Sequence, residues 1–148
     1  MIKYFVNAWE DNKGGLRKYF KTHKQENYGS DYDSLLGALL NVINGYNDIN
    51  FKTENIKTID YGNYQGTLII TFAIDTYQPT ENETFYTVVD YGSCSGCDTL
   101  LAICDWDYDK LPTEKQIDGY MELCLHMIQN IKCFGNLEYN DNDNMIEM

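Results

Sequence analysis

A length of 148 residues fits one domain large enough to bury a hydrophobic core. Hydrophobic residues make up 43% of the chain, but their longest runs fall far short of the roughly 20 residues that a membrane span requires, so we expect no contact with a membrane. The formal net charge of −12 makes direct binding to nucleic acid unfavourable and favours a partner protein with a basic surface or a cation; the simplest alternative is that the charge serves solubility alone.

The acidic side chains are concentrated in the second part of the chain. Residues 1–53 carry seven basic and six acidic side chains, whereas residues 54–148 carry four basic and seventeen acidic ones. The first fifteen residues lack the apolar core and the small-residue cleavage site of a secretory signal. We therefore expect a cytoplasmic protein whose five cysteines are mostly reduced thiols.

Two helical regions are predicted before residue 50. Apolar residues recur at helical spacing from Phe5 to Phe20, but Gly14 and Gly15 lie in the middle at a cost of about 1 kcal/mol each, so either one weakened helix or two short ones results. Residues 30–33, with the sequence SDYD, resemble an N-cap before an apolar stripe, and Gly45 is a natural stop. The stripe consists of Leu35, Leu36, Leu39, Leu40 and Ile43.

Three strands are predicted next. Residues 56–61 and 67–75 alternate in hydrophobicity and flank the turn-rich residues 62–66, and residues 84–91 form a third alternating run. Short connections of this kind favour an antiparallel meander.

The last third of the chain returns to helical spacing. Thr99–Cys104 fits one or two helical turns, and Thr113 with Gln116 fits a capping box at the start of a helix that Gly135 would end. The predicted buried stripe of this helix is Ile117, Met121, Cys124, Leu125, Ile128 and Ile131. The fold class is therefore α+β: a three-stranded antiparallel meander with N-terminal helices and a C-terminal helix packed on it. We assign residues 1–137 to a single domain and 138–148 to an acidic, flexible tail.

The motif Cys94-Ser95-Gly96-Cys97 separates the last strand from a helical segment and has three interpretations. A helix N-terminus would lower a cysteine pKa and support dithiol redox chemistry. The local sequence VVDYGSCSGCDTLLAI resembles the thioredoxin family over sixteen residues, but that family continues with strands and a cis-proline loop, and this chain does not. A purely structural interpretation is a tight turn whose two thiols pack as small hydrophobic groups.

The remaining interpretation of the motif is a zinc-binding site, because a CxxC turn supplies two thiolates at the usual spacing. Two further ligands would have to come from separate elements, and Cys104 and Cys124 are candidates. Cys124, His126 and Cys133 cannot converge on one ion, since they lie on different sides or different levels of a helix. No cofactor is therefore assigned, with zinc as the alternative.

Acidic and aromatic residues alternate from 105 to 109, and carboxylates continue along the following helix. This acidic–aromatic strip consists of Asp105, Trp106, Asp107, Tyr108, Asp109, Glu114, Asp118 and Glu122. The spacing D-x-D-x-D is that of a calcium loop, but Lys110 and Gln116 replace the glycine and glutamate that an EF-hand requires. Such carboxylates can imitate phosphates, with the aromatic residues as anchors; the simplest alternative is a solvated surface.

Enzyme signatures are absent from the sequence. It contains no GxxxxGK[ST], GxGxxG, GxSxG or HExxH motif, and only His23 and His126 could serve a histidine-based triad. We therefore predict a protein that is not an enzyme and assign no catalytic residue. Thirteen tyrosines leave open a third function, the sequestering of a small molecule such as a nucleotide.

Most of the chain takes part in one resemblance. Its segments are AWEDNKGGLRKYFKTHKQENY, IDYGNYQGTLIITF, DTYQPT with VDYGSCSGCDTLLAI, and LPTEKQIDGYMELCLHMIQNIK. Together they resemble a family of small bacteriophage and prophage proteins of Gram-positive bacteria, most specifically at YGSCSGCDTL, Tyr91 to Leu100. The resemblance implies a phage protein that binds and inhibits a host macromolecule, such as a nuclease of antiviral defence. It transfers no catalytic residue.

Overall fold

The computed structural model of the protein describes residues 2–60, 66–91 and 99–136. Its helices are α1 Ile2–Thr22, α2 Tyr32–Ile43, α3 Thr99–Cys104 and α4 Glu114–Gln129, and its strands are β1 Lys57–Asp60, β2 Gly66–Ala73, β3 Thr84–Tyr91 and β4 Lys132–Cys133. The predicted α+β class and the predicted order of helices, strands and helices are confirmed. The predicted tail at 138–148 and the Cys94–Cys97 motif lie outside the described residues.

One continuous helix spans the glycine pair near the N-terminus. Gly14 and Gly15 lie inside α1, so of the two alternatives the single helix is the one that forms. Its apolar face compensates for the weak helix propensity, because Phe5 and Phe20 are fully buried. The Phe20 ring lies 5.4 Å from the ring of Tyr120 on α4, so packing between the two helices stabilises α1.

Both ends of α2 follow the prediction. The Asp31 side chain accepts a hydrogen bond of 3.0 Å from the backbone N–H of Ser34, which satisfies one of the free donors at the start of the helix. The helix ends at Ile43, and Gly45 adopts a left-handed conformation with φ of 94°. The predicted apolar stripe is buried along its full length.

The sheet has four antiparallel strands in the order β1-β2-β3-β4, so the prediction of three strands was wrong by one. The fourth strand contains only Lys132 and Cys133, which pair with Tyr86 and Phe85. Two residues cannot show a period of two, and this strand therefore left no pattern in the sequence. The first three strands form the predicted meander.

The C-terminal helix begins as predicted and ends earlier. Thr113 and Gln116 form the capping box, with each side chain bonded to the backbone of the other residue. The helix ends at Gln129 rather than near Gly135, and Ile131 lies beyond it. The chain leaves the helix here because the edge of β3 offers backbone partners to β4.

The buried face of α4 is rotated from the predicted stripe. Met121 and Leu125 are half-buried. The fully inward positions are Ile117, Tyr120, Leu123, Cys124, Met127 and Ile128. This rotation turns Tyr120 inward.

The helices cover one face of the sheet, and an aromatic cluster fills the space between them. Phe5 of α1 lies 6.0 Å from the ring of Phe72 on β2 and 5.6 Å from that of Phe85 on β3. On the opposite face, Ile59 and Val88 are 46% and 38% exposed. No helix in the described residues combines the length and the apolarity needed to cross a bilayer.

Candidate functional site: the loop between α3 and α4

The connection from α3 to α4 begins with an unusual backbone. Asp105 and Trp106, which follow α3 directly, have φ of 51° and 66°. Residues other than glycine seldom adopt this left-handed conformation, which costs of order 1–3 kcal/mol per residue and persists only where the surroundings enforce it. We call residues 105–109 the acidic–aromatic loop.

Backbone hydrogen bonds fix this loop to the turn that follows α1. The N–H of Gln25 donates to the Lys110 carbonyl at 3.0 Å, and the N–H of Glu26 donates to the Tyr108 carbonyl at 2.7 Å. Within the loop, the N–H of Asp107 donates to the Cys104 carbonyl at 3.0 Å. These bonds therefore fix the acidic–aromatic loop to a turn that is more than 80 residues away in the sequence.

Two glutamine side chains also hold the acidic–aromatic loop in place through hydrogen bonds. Gln25 is fully buried; its Nε2 donates to the Asp107 carbonyl at 3.1 Å, and its Oε1 accepts a 2.6 Å bond from the Tyr120 hydroxyl. Gln116 Nε2 lies 3.0 Å from the Ile103 carbonyl and 3.3 Å from Asp107 Oδ2. Gln116 thus satisfies a free carbonyl at the end of α3 while its Oε1 caps α4.

The loop exposes a large aromatic side chain among carboxylates. Trp106 is 70% exposed, and its ring meets that of Tyr108 edge to face at 6.2 Å. Asp105 and Asp109 are exposed, and Asp107 Oδ1 lies 3.7 Å from Lys110 Nζ. The five loop residues that the sequence singled out therefore occur together on one supported turn.

The helical part of the predicted strip has a different environment. Arg17 of α1 donates hydrogen bonds of 2.8 Å to both Glu114 and Asp118, and Lys21 lies 3.9 Å from Glu114. Both carboxylates are still about two-thirds exposed, but their charge is partly balanced within the chain. Glu122 is exposed one turn further along α4. The acidic–aromatic loop thus carries the part of the strip best suited to a partner.

A cleft of about 590 Å³ opens beside the loop, between α3 and the start of α4. Ala102, Ile103 and Gly119 give it apolar walls, and Asp105 and Asp107 lie at its loop side. The remaining lining residues are Thr99, Thr113, Lys115 and Gln116. A Cβ at Gly119 would lie only 3.0 Å from Ile103 Cγ1, so the glycine permits the close approach of α3 to α4.

The cysteine alternatives are only partly within the described residues. Cys94 and Cys97 lie outside them, so the zinc and redox interpretations stay predictions. Cys104 and Cys124, the two proposed additional zinc ligands, are buried, and burial raises the pKa of both thiols. A raised pKa disfavours the thiolate that zinc binds. Within residues 2–60, 66–91 and 99–136, no three His, Cys, Asp or Glu side chains form a metal-binding group.

Several tyrosines that suggested a small-molecule pocket belong to the core instead. Tyr28 and Tyr120 are fully buried, and Tyr32 is 4% exposed. A polar groove of about 470 Å³ does include Tyr19. A smaller pocket of about 220 Å³ includes Tyr32 and Tyr108, and the small-molecule interpretation stays a prediction.

The same groove contains a pair of carboxyl groups at the start of α2. The hydrogen bond between Asp31 and Asp33 lowers the pKa of Asp31 and, together with burial, raises that of Asp33. Both groups have structural roles, since Asp31 caps α2 and Asp33 accepts a hydrogen bond from Thr58 on β1. The pair explains the local structure and identifies no ligand.

Gln25 and Tyr120 are the site residues that the sequence did not reveal. Neither belongs to a recognisable motif, and their contacts with the loop join positions that are far apart in the chain. Gln116 was recognised only as a helix cap. The left-handed conformations of Asp105 and Trp106 also have no sequence signature beyond the tolerance of aspartate for that region.

Comparison of the chain with protein-family models, with curated proteins and with solved structures found no match. The resemblance to phage proteins accordingly stays a prediction from the sequence.

Proposed function

We propose that this protein is a non-enzymatic, phage-type inhibitor that binds a basic surface of a host macromolecule through its acidic–aromatic loop. The observation that carries the proposal is Trp106: a 70% exposed tryptophan on a left-handed backbone, in a loop that the buried Gln25 side chain holds through the carbonyl of the neighbouring Asp107. Uncommon backbone conformations that the surroundings enforce are concentrated at functional sites. Tryptophan is also among the residues that contribute most at protein interfaces.

Burial of Trp106 by a partner would supply much of the binding free energy. A largely exposed tryptophan side chain that becomes buried contributes about 2–4 kcal/mol. The loop is fixed before binding, so little conformational entropy is lost on association. The hydrogen bonds from Gln25 and Glu26 to the loop thereby favour affinity.

The carboxylates of the loop select the kind of partner. The loop alternates three aspartates, Asp105, Asp107 and Asp109, with its two aromatic residues, and the whole protein carries a net charge of −12. Such a field accelerates association with a basic surface and repels nucleic acid. Host proteins that bind nucleic acid, including antiviral defence nucleases, present such surfaces, and we propose this class as the partner in the host cytoplasm.

The test is capture of host proteins from a bacterial lysate by the tagged full chain at low and at high salt. The loop variant Asp105→Asn/Asp107→Asn/Asp109→Asn removes three negative charges, and asparagine tolerates the left-handed conformation at position 105. A matched control, Asp48→Asn/Glu54→Gln/Glu81→Gln, removes three exposed carboxylates elsewhere.

We expect a specific protein to bind the wild type and the control but not the loop variant, and to dissociate as salt increases. Capture that is indifferent to salt, or that the control variant loses as much as the loop variant, would contradict the proposal. So would the absence of any captured protein.

A further inference from the structure

We propose that the cleft between α3 and α4 receives an arginine side chain of the partner. This inference rests on the proposed function and names the chemistry that the site recognises. It joins two features of one cleft of about 590 Å³: the apolar walls formed by Ala102, Ile103 and Gly119, and the carboxylates of Asp105 and Asp107 at its loop side.

The shape of the cleft suits a long side chain with an apolar stem. Ala102 is exposed on α3, and Ile103 packs against Gly119 on the facing helix. Three methylene groups of an arginine can lie along such walls while the charged head reaches the loop. A free ammonium or metal ion would leave the apolar part of the cleft unfilled.

The charges of the cleft favour a cation with a planar set of donors. Asp107 Oδ2 accepts a 3.3 Å bond from Gln116, and its Oδ1 lies 3.7 Å from Lys110. Asp105, in contrast, has no ion pair with any residue in the described parts of the chain. Its carboxylate can therefore accept the paired N–H groups of a guanidinium, the geometry in which arginine binds carboxylates best.

Arginine fits this cleft better than lysine for two reasons. A guanidinium is more weakly hydrated than an ammonium group, so its entry into the cleft beside Ala102 and Ile103 costs less. Its fixed fork of donors can also engage Asp105 while a second N–H points to the Asp107 carboxylate. Lys115 is the opposing charge in the cleft lining, and it weakens the attraction without reversing it, since two carboxylates face one ammonium.

The experiment uses the full-length chain, labelled with ¹⁵N, and a defined probe, N-acetyl-arginine N-methylamide. The matched control ligand is the citrulline analogue, which has nearly the same shape and no charge. We expect the arginine probe to shift the amide signals of residues 102–107 and 115–119 and to bind about tenfold more tightly than the citrulline analogue.

Two variants test the location. Ala102→Phe fills the cleft from an exposed position and is expected to weaken binding of the arginine probe about tenfold. Lys115→Gln removes the opposing charge and is expected to tighten binding about twofold. Equal binding of the two probes, signal shifts confined to other regions, or unchanged binding by Ala102→Phe would overturn the inference.

The two proposals can fail separately. If the loop variant loses the captured host protein while Ala102→Phe retains it and the citrulline analogue binds as well as arginine, only the cleft assignment is wrong. If the arginine probe binds in the cleft but no host protein depends on the loop, the cleft is supported and the proposed function is wrong.

Discussion

Replacement of Gln25 by leucine tests whether the acidic–aromatic loop is held by its buried polar contacts. Leucine has a similar volume but removes the acceptor of the 2.6 Å bond from Tyr120 and the donor of the 3.1 Å bond to Asp107. A buried polar group left without a partner costs about 1–3 kcal/mol. Cys104 lies beside the Tyr120 hydroxyl, but sulfur is a weak acceptor and replaces little of the lost bond.

We expect Gln25→Leu to lower the free energy of unfolding by about 2–4 kcal/mol. For a domain of this size the corresponding fall in Tm is about 5–15 °C. Urea unfolding followed by far-UV circular dichroism measures the free energy, and hydrogen exchange measures the local effect. The amides of Glu26 and Lys110, which take part in the loop contacts, should exchange faster than in the wild type.

A double-mutant cycle with Tyr120→Phe separates the hydrogen bond from general disturbance of the core. In Gln25→Leu the Tyr120 hydroxyl loses its main hydrogen-bond partner, and Tyr120→Phe removes that hydroxyl. The loss of unfolding free energy in the double variant should therefore be about 1–2 kcal/mol smaller than the sum of the losses in the two single variants. Gln129→Leu, on the exposed side of α4, is the matched control and should change stability by less than about 0.5 kcal/mol. Additive effects, or a loss for Gln25→Leu no larger than the control, would refute the account of the loop.

Three further predictions concern the scaffold. The hydrogen bond and the charge of Asp31 raise the pKa of Asp33. The folded state therefore holds the Asp33 proton more tightly than the unfolded state and loses stability as pH rises above the ordinary carboxyl pKa. Asp33→Asn should accordingly unfold at a higher urea concentration than the wild type at neutral pH, and this difference should vanish near pH 3. Arg17→Gln removes two 2.8 Å contacts to α4, and its Tm should fall by a few degrees at low salt and by less at high salt. Cys124→Ser places a hydroxyl in the core and should cost about 1–3 kcal/mol in urea unfolding, whereas an unchanged midpoint would contradict the burial of this thiol.

Hydrophobic periodicity was sufficient to predict the elements with several turns or repeats. The apolar stripe of α2 and the alternating runs of β2 and β3 each extend over at least eight residues, and the capping residue of α2 agrees with its stripe. The two-residue strand β4 had no period to detect. The continuity of α1 across its glycine pair depends on tertiary packing of Phe5 and Phe20, which propensity alone does not include.

The candidate site was predictable as a set of residues but not as an arrangement. Alternation of aspartate and aromatic residues pointed to positions 105–109. The sequence could not show that Arg17 binds Glu114 and Asp118, because the contact joins positions about 100 residues apart. The support from Gln25 is of the same kind, since it depends on how two loops meet in the folded chain.

Site-specific photo-cross-linking in host cells tests whether the acidic–aromatic loop is the binding surface. Benzoylphenylalanine in place of Trp106 puts the reactive group in the acidic–aromatic loop, and the same group in place of Tyr77, which is 91% exposed, provides a control at another exposed aromatic position. We predict a discrete cross-linked host protein from position 106 and none from position 77. No product from position 106, or the same product from both positions, would contradict the assignment of the loop as the binding surface.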